Sequence, residues 1–157
     1  MKRILAVLTV VAMLFILSAC GQSNTPEKAA ENFVLALYTA DPEKMINCIP
    51  EFIVRELASQ YGTNLNDIEG LINLMSAQIS QEDISDCVIT SSNISSDLSL
   101  LDEYKENMDN YGVTTEDFSK IEEYSLVNVL AEVDDEDIEN IVFCVKYDGV
   151  WCAVDID

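Results

Sequence analysis

Histidine is absent from the 157 residues. That excludes Ser-His and Cys-His catalysis and removes the commonest transition-metal ligand. Acid-base chemistry would fall to Asp, Glu, Tyr, Lys or Cys. Basic residues are scarce. Eight Lys and Arg stand against 29 Asp and Glu, a net charge of −21. A nucleic-acid interface needs a basic footprint, so nucleic-acid binding is excluded. The same charge keeps the chain soluble and repels anionic lipid. Cationic partners and divalent ions remain open, against the simpler reading of a solvated, self-repelling surface. No internal repeat and no low-complexity tract interrupts the chain. No apolar run reaches the ~18 residues that a membrane-spanning helix requires.

What is present begins at the N-terminus. Lys2 and Arg3 form a short basic start, and residues 4–17 are apolar except for Thr9. Small residues Ser18 and Ala19 follow, then Cys20. A basic start, a short apolar run and small residues at the cleavage site make an export signal. Leu17-Ser18-Ala19-Cys20 resembles the lipobox of bacterial lipoproteins. The resemblance implies a diacylglyceryl group on the Cys20 sulfur and cleavage that leaves Cys20 as the new N-terminus. Two acyl chains anchor stably where one binds marginally and reversibly. The expected division is a signal peptide over 1–19, lipidated cysteine and flexible tether over 20–25, and a domain over 26–157. The expected location is the extracytoplasmic face of the cell membrane, held by lipid.

Cleavage would remove Lys2 and Arg3, leaving six basic residues against 29 acidic ones and a net charge of −23. The remaining 138 residues make one domain with a sizeable core. Besides Cys20 it holds Cys48, Cys87, Cys144 and Cys152. An exported domain permits disulfides, and four cysteines allow three connectivities. A core of this size needs no staples, so four small buried thiols are the preferred reading.

Along the chain, Thr25-Pro26 pairs an N-cap with a first-turn proline. Ala30, Phe33, Val34, Leu37 and Tyr38 then share one helical face. Asp41-Pro42 repeats the start signal for a short helix with Met45, Ile46 and Ile49, stopped by Pro50. A third helix runs from Phe52 to Tyr61, ended by Gly62. A fourth is predicted over 64–79, with Ile68, Leu71, Ile72, Met75 and Ile79 on one face and Asp67 and Glu69 in its first turn. Residues 80–86 read as polar connection and 87–90 as a short strand. Residues 102–111 read as a helix presenting Leu101, Tyr104, Met108 and Tyr111.

From Ile121 the period changes to two. A strand over 124–133 puts Val127, Val129, Ala131 and Val133 on one face. Residues 134–137 read as a turn and 138–147 as a second strand. Asp148-Gly149 is a two-residue hairpin signal before a last strand over 150–156. In that register Val145 faces Cys152 and Cys144 faces Ala153. Cys144 and Cys152 then point to opposite sides. Phe143, Val145, Tyr147, Val150, Cys152, Val154 and Ile156 form the face expected against the helices, with Lys146, Trp151 and Asp155 opposite.

Helices first and antiparallel strands last predict an α+β domain with helices on one face of an antiparallel sheet. The Thr25-Pro26-Glu27 start with Phe33, the Asp41-Pro42-Glu43-Lys44 start and the Lys146-Tyr147-Asp148-Gly149-Val150-Trp151 hairpin resemble small Gram-positive lipoproteins with an NTF2-like, cystatin-like fold. The resemblance implies a curved sheet around the first helix, often with a pocket. It fixes no activity, because folds host many functions.

Glu132, Asp134, Asp135, Glu136, Asp137 and Glu139 offer oxygen ligands for calcium. They lack the glycine and alternate spacing of an EF-hand loop. A charged turn that discourages edge pairing is the preferred reading. Tyr147 and Trp151 read as packing. No catalytic, cofactor-binding or metal residue is assigned. The function expected is non-catalytic binding of a small ligand or an envelope protein. An acid-base isomerase or dehydratase using an NTF2-like pocket is the alternative.

Overall fold

The computed structural model describes residues 23–63, 67–78, 80–101 and 114–157. The Thr25 hydroxyl accepts from the Lys28 N–H at 3.3 Å and opens helix α1, Pro26–Tyr38. Asp41 caps α2, Pro42–Cys48, in the same way, accepting from the Lys44 N–H at 3.0 Å. In both helices proline occupies the first turn, where its missing donor costs nothing. Helix α3, Glu51–Gln60, follows Pro50, and α4, Ile68–Ser76, starts at an Asp67 cap. Asp67 is thus the cap itself rather than a first-turn residue. The predicted helix positions 64–66, 79 and 102–111 lie outside the described residues.

Strand β1 spans Ile84–Ser95, far beyond the four residues expected of it. A single turn of 3-10 helix, Leu98–Leu100, follows, and α5, Thr115–Ser119, leads into the rest of the sheet. Strands β2 (Ile121–Val133), β3 (Glu136–Tyr147) and β4 (Val150–Ile156) complete an open antiparallel sheet in the order β1-β2-β3-β4. Register shifts interrupt all three pairings. Such bulges bend strands and increase their twist. The architecture is α+β, with helices preceding most of the sheet.

The turn between β2 and β3 is shorter than predicted. Only Asp134 and Asp135 form it, both left-handed, with φ of 52° and 67°. Aspartate tolerates that region better than most side chains. Glu136 and Asp137 pair instead with Val133 and Glu132. The Asp134 carboxylate accepts from the Asp83 N–H at 3.2 Å, and the Asp134 N–H donates to the Asp83 carbonyl at 2.9 Å. The acidic turn therefore clamps the entry to β1.

Helix α1 lies against all four strands. Its buried Ala29, Ala30, Phe33 and Val34 share one core with Val127, Val129, Ala131 and Val133 of the sheet. Three contacts fix this placement. The Cys144 thiol reaches the Pro26 carbonyl at 3.6 Å, and the Tyr38 hydroxyl donates to the Asn140 side-chain oxygen at 3.1 Å. The Ser92 hydroxyl of β1 lies near the Glu27 carboxylate and holds its pKa below the ordinary value of 4.5.

These contacts correct part of the face assignment in the last hairpin. The register is as predicted, with Cys144 opposite Ala153 and Val145 opposite Cys152. The side facing α1, however, is that of Val142, Cys144 and Ala153, each with no exposure. Trp151 is buried too, at 4% exposure. Of the row expected against the helices, Val145, Tyr147 and Cys152 are buried, Tyr147 against Phe52 of α3, while Phe143, Val150, Val154 and Ile156 are half-buried. Apolar residues occupy both sides of β3 and β4, and both sides are buried near the hairpin. Cys144 and Ala153 are small and, with the alanines of α1, let that helix approach closely.

One further correction concerns the tether. Ser23 is 4% exposed and pairs as an antiparallel bridge with Trp151. Residues 23–25 belong to the folded unit.

Candidate functional site

The sheet face opposite α1 follows from the strand register. Asn128 pairs with Ile141 and Ser91, Leu126 with Phe143 and Asn93, and Leu130 with Glu139 and Val88. Their neighbours Val127, Val129 and Val142 are buried on the α1 side, so these residues project away from it. Val88 is 47% exposed, Leu126 45% and Ile141 43%. Leu130 and Phe143 are half-buried beside them. Scattered exposed apolar residues are ordinary, but a cluster on adjacent strands marks a contact surface.

A shallow depression of about 350 Å³ crosses this face. Thr90, Asn128, Ile141 and Asp157 line it, one contribution from each strand or its end. Glu139 stands at its side. The Asn128 amide is held by donation to the Ser91 hydroxyl at 2.7 Å. Ile141 is fixed by two backbone bonds with Asp157, at 2.7 and 3.0 Å. The lining thus combines polar, aliphatic and acidic residues.

Every lysine and arginine of the described residues is engaged or lies elsewhere. Lys28 pairs with Glu31, Lys44 with Asp41, Arg55 with Asp117 and Lys146 with Glu122 and Glu123. The Lys120 ammonium sits 5.6 Å from the centre of the Tyr147 ring. Strands β1, β2 and β4 contain no basic residue, and alternation turns Lys146 of β3 to the α1 side. The open face therefore carries Glu132, Asp137, Glu139 and Asp155 with no cation among its described strand residues.

Asp117 was not singled out by the sequence, yet it is the buried carboxylate of the described residues, 4% exposed. Its oxygens accept from Arg55 at 2.7 Å and from the Thr114 N–H and hydroxyl, each at 2.8 Å. Burial alone would raise its pKa. The Thr114 and Arg55 donors outweigh burial and hold it below 3.8. A permanently ionised, fully bonded carboxylate has no proton to give. The group staples α3 to α5 away from the depression. The capping-box spacing from Thr114 was its only local signal.

The described cysteines are free thiols. Burial pushes Cys48 and Cys152 up to about 11 and Cys144 up to about 12. Such thiols are inert at neutral pH. The acidic turn has its carboxylates committed to protein donors at Asp134 and at Glu132, which accepts from the Ser85 hydroxyl at 2.7 Å. Among the described residues no group of His, Cys, Asp or Glu is arranged to hold a metal. Tyr147 packs edge-on against Phe52, ring centres 5.3 Å apart. Leu17, Ser18, Ala19 and Cys20 lie outside the described residues. Comparison with protein-family models, with curated proteins and with solved structures found no match to this chain.

Proposed function

We propose that this chain is an extracytoplasmic lipoprotein, anchored by lipid on Cys20, whose NTF2-like (cystatin-like) domain is a non-catalytic binding module for a small ligand or an envelope protein. The observation that carries the reading is the spacing between Leu17-Ser18-Ala19-Cys20 and Ser23. Ser23, three residues beyond the cysteine, is bonded to Trp151. Three residues span at most roughly 10 Å when extended. A lipid on Cys20 would hold the β4 corner close to the bilayer. A domain this acidic is repelled by anionic lipid, so a weak anchor would not suffice.

The NTF2-like reading is supported by a first helix laid across a bulged, open antiparallel sheet and by the Asp148-Gly149 hairpin. Binding is supported by the apolar row Val88, Leu126 and Ile141 around the depression. Expression of wild type and Cys20→Ala in a bacterial host, followed by detergent phase partitioning, tests the anchor. The wild type should enter the detergent phase, and Cys20→Ala should persist as uncleaved precursor. Wild-type protein recovered unacylated from the medium would refute it.

A further inference from the structure

The open sheet face combines two features that point to one kind of occupant. Its centre is apolar: Val88, Leu126 and Ile141 are each more than two-fifths exposed on adjacent strands. Its border is anionic: Glu139 lines the depression, and Asp155 stands opposite Phe143. The described strand residues of the face include no cation to neutralise that border. We infer that this face docks a basic, amphipathic polypeptide segment. Its apolar side chains would cover Leu126 and Ile141, and its Lys or Arg side chains would reach Glu139 and Asp155.

Charge decides among occupants. A second copy would bring another strongly acidic domain against the same carboxylates, and like charges across an interface disfavour the pairing. An anionic lipid surface is opposed in the same way. A neutral apolar ligand would leave the carboxylates desolvated without partners. A basic segment satisfies both features, and the −23 domain would speed its approach by steering. The inference rests on the binding-module reading and names its partner class. It does not depend on the lipid, so its failure would leave the anchor intact.

The test uses the full-length wild-type chain in neutral detergent and a fluorescent peptide of alternating leucine and lysine. Anisotropy reports binding, and a leucine-glutamate peptide is the control. Comparison of variants in the same detergent cancels peptide taken up by micelles. Leu126→Ser with Ile141→Ser should weaken binding about tenfold or more, as should Glu139→Gln with Asp155→Asn. Both pairs alter exposed or half-buried residues, and unchanged thermal midpoints would show that folding survives. Added salt should weaken the lysine peptide. Equal affinity of wild type and both double variants overturns the proposal. So does equal binding of the glutamate peptide. Concentration-dependent self-association abolished by the Leu126→Ser and Ile141→Ser pair would assign the face to a second copy instead.

Discussion

The Trp151 backbone N–H donates to the Ser23 carbonyl at 3.0 Å, so the first described residue is held on the outer edge of the last strand. Ser23 is tied again where the Asn32 amide donates to its hydroxyl at 3.4 Å. A chain starting at Asn24 keeps the Thr25 cap but loses both bonds. Its stability should fall by about 1–3 kcal/mol, the net worth of two typical hydrogen bonds. Trp151 is the single tryptophan, so its emission reads the change directly. Wild-type emission should be blue-shifted and poorly quenched by acrylamide. The shortened chain should shift to the red. An identical spectrum and midpoint would mean that the bridge contributes nothing.

Asp117 sets a pH dependence. Its folded pKa lies below the ordinary 3.8. The stability it adds is therefore present above about pH 4 and lost as pH falls through the folded value. Asp117→Asn should cost about 1–3 kcal/mol at neutral pH, since Arg55 and Thr114 lose a charged acceptor. The gap between wild type and variant should close below about pH 4. Arg55→Ala should cost less, because Arg55 is 42% exposed and water can replace it. Urea melts across pH check both statements, and a gap independent of pH would contradict the first.

Two helices end alike with different residues. At the end of α1 the Ala40 N–H donates to Leu37 and the Asp41 N–H to Ala36. At the end of α3 the Gly62 N–H donates to Ser59 and the Thr63 N–H to Ala58. The left-handed position is Ala40 in one, φ 50°, and Gly62 in the other, φ 68°. Glycine suits it; alanine is strained. Ala40→Gly should stabilise by about 0.5–1 kcal/mol, strain relief exceeding the added freedom of the unfolded chain. Gly62→Ala should destabilise by a similar amount, although open space surrounds a methyl there. Thermal melts decide, and a loss of stability in Ala40→Gly would contradict the reading.

The thiols should react in order of burial. Cys87 is half-buried, while Cys48, Cys144 and Cys152 are buried. Burial raises the Cys87 pKa as well, but leaves the sulfur within reach. In folded protein near pH 8, iodoacetamide should label Cys87 first among these four and the others only after denaturation. A Cys144–Cys152 bridge in a peptide map would mean that the hairpin register is wrong.

Local signals were legible. Thr25-Pro26, Asp41-Pro42 and Asp148-Gly149 each act within four residues, and the structure uses all three. The Val127 to Val133 alternation was legible because one side of β2 is wholly buried. The extent of β1 was not, because Ser91, Ser92, Asn93 and Ser95 are poor strand formers held there by pairing with β2. The last hairpin was half legible, because alternation expects one covered face where this hairpin has two: α1 covers Cys144 and Ala153, and Phe52 of α3 covers Tyr147. The open face was invisible for a related reason. Val88, Leu126 and Ile141 read as core in any one-dimensional pattern, and only the placement of α1 on the other side leaves them uncovered.

Everything proposed for this domain's place in the cell depends on a lipid on Cys20. Intact-mass measurement of wild-type protein extracted from membranes addresses it most directly. The expected product is a chain that begins at Cys20, lacks residues 1–19 and carries a diacylglyceryl group on the Cys20 sulfur. A mass equal to the full 157 residues, or a mature chain with a free Cys20 thiol, would contradict it.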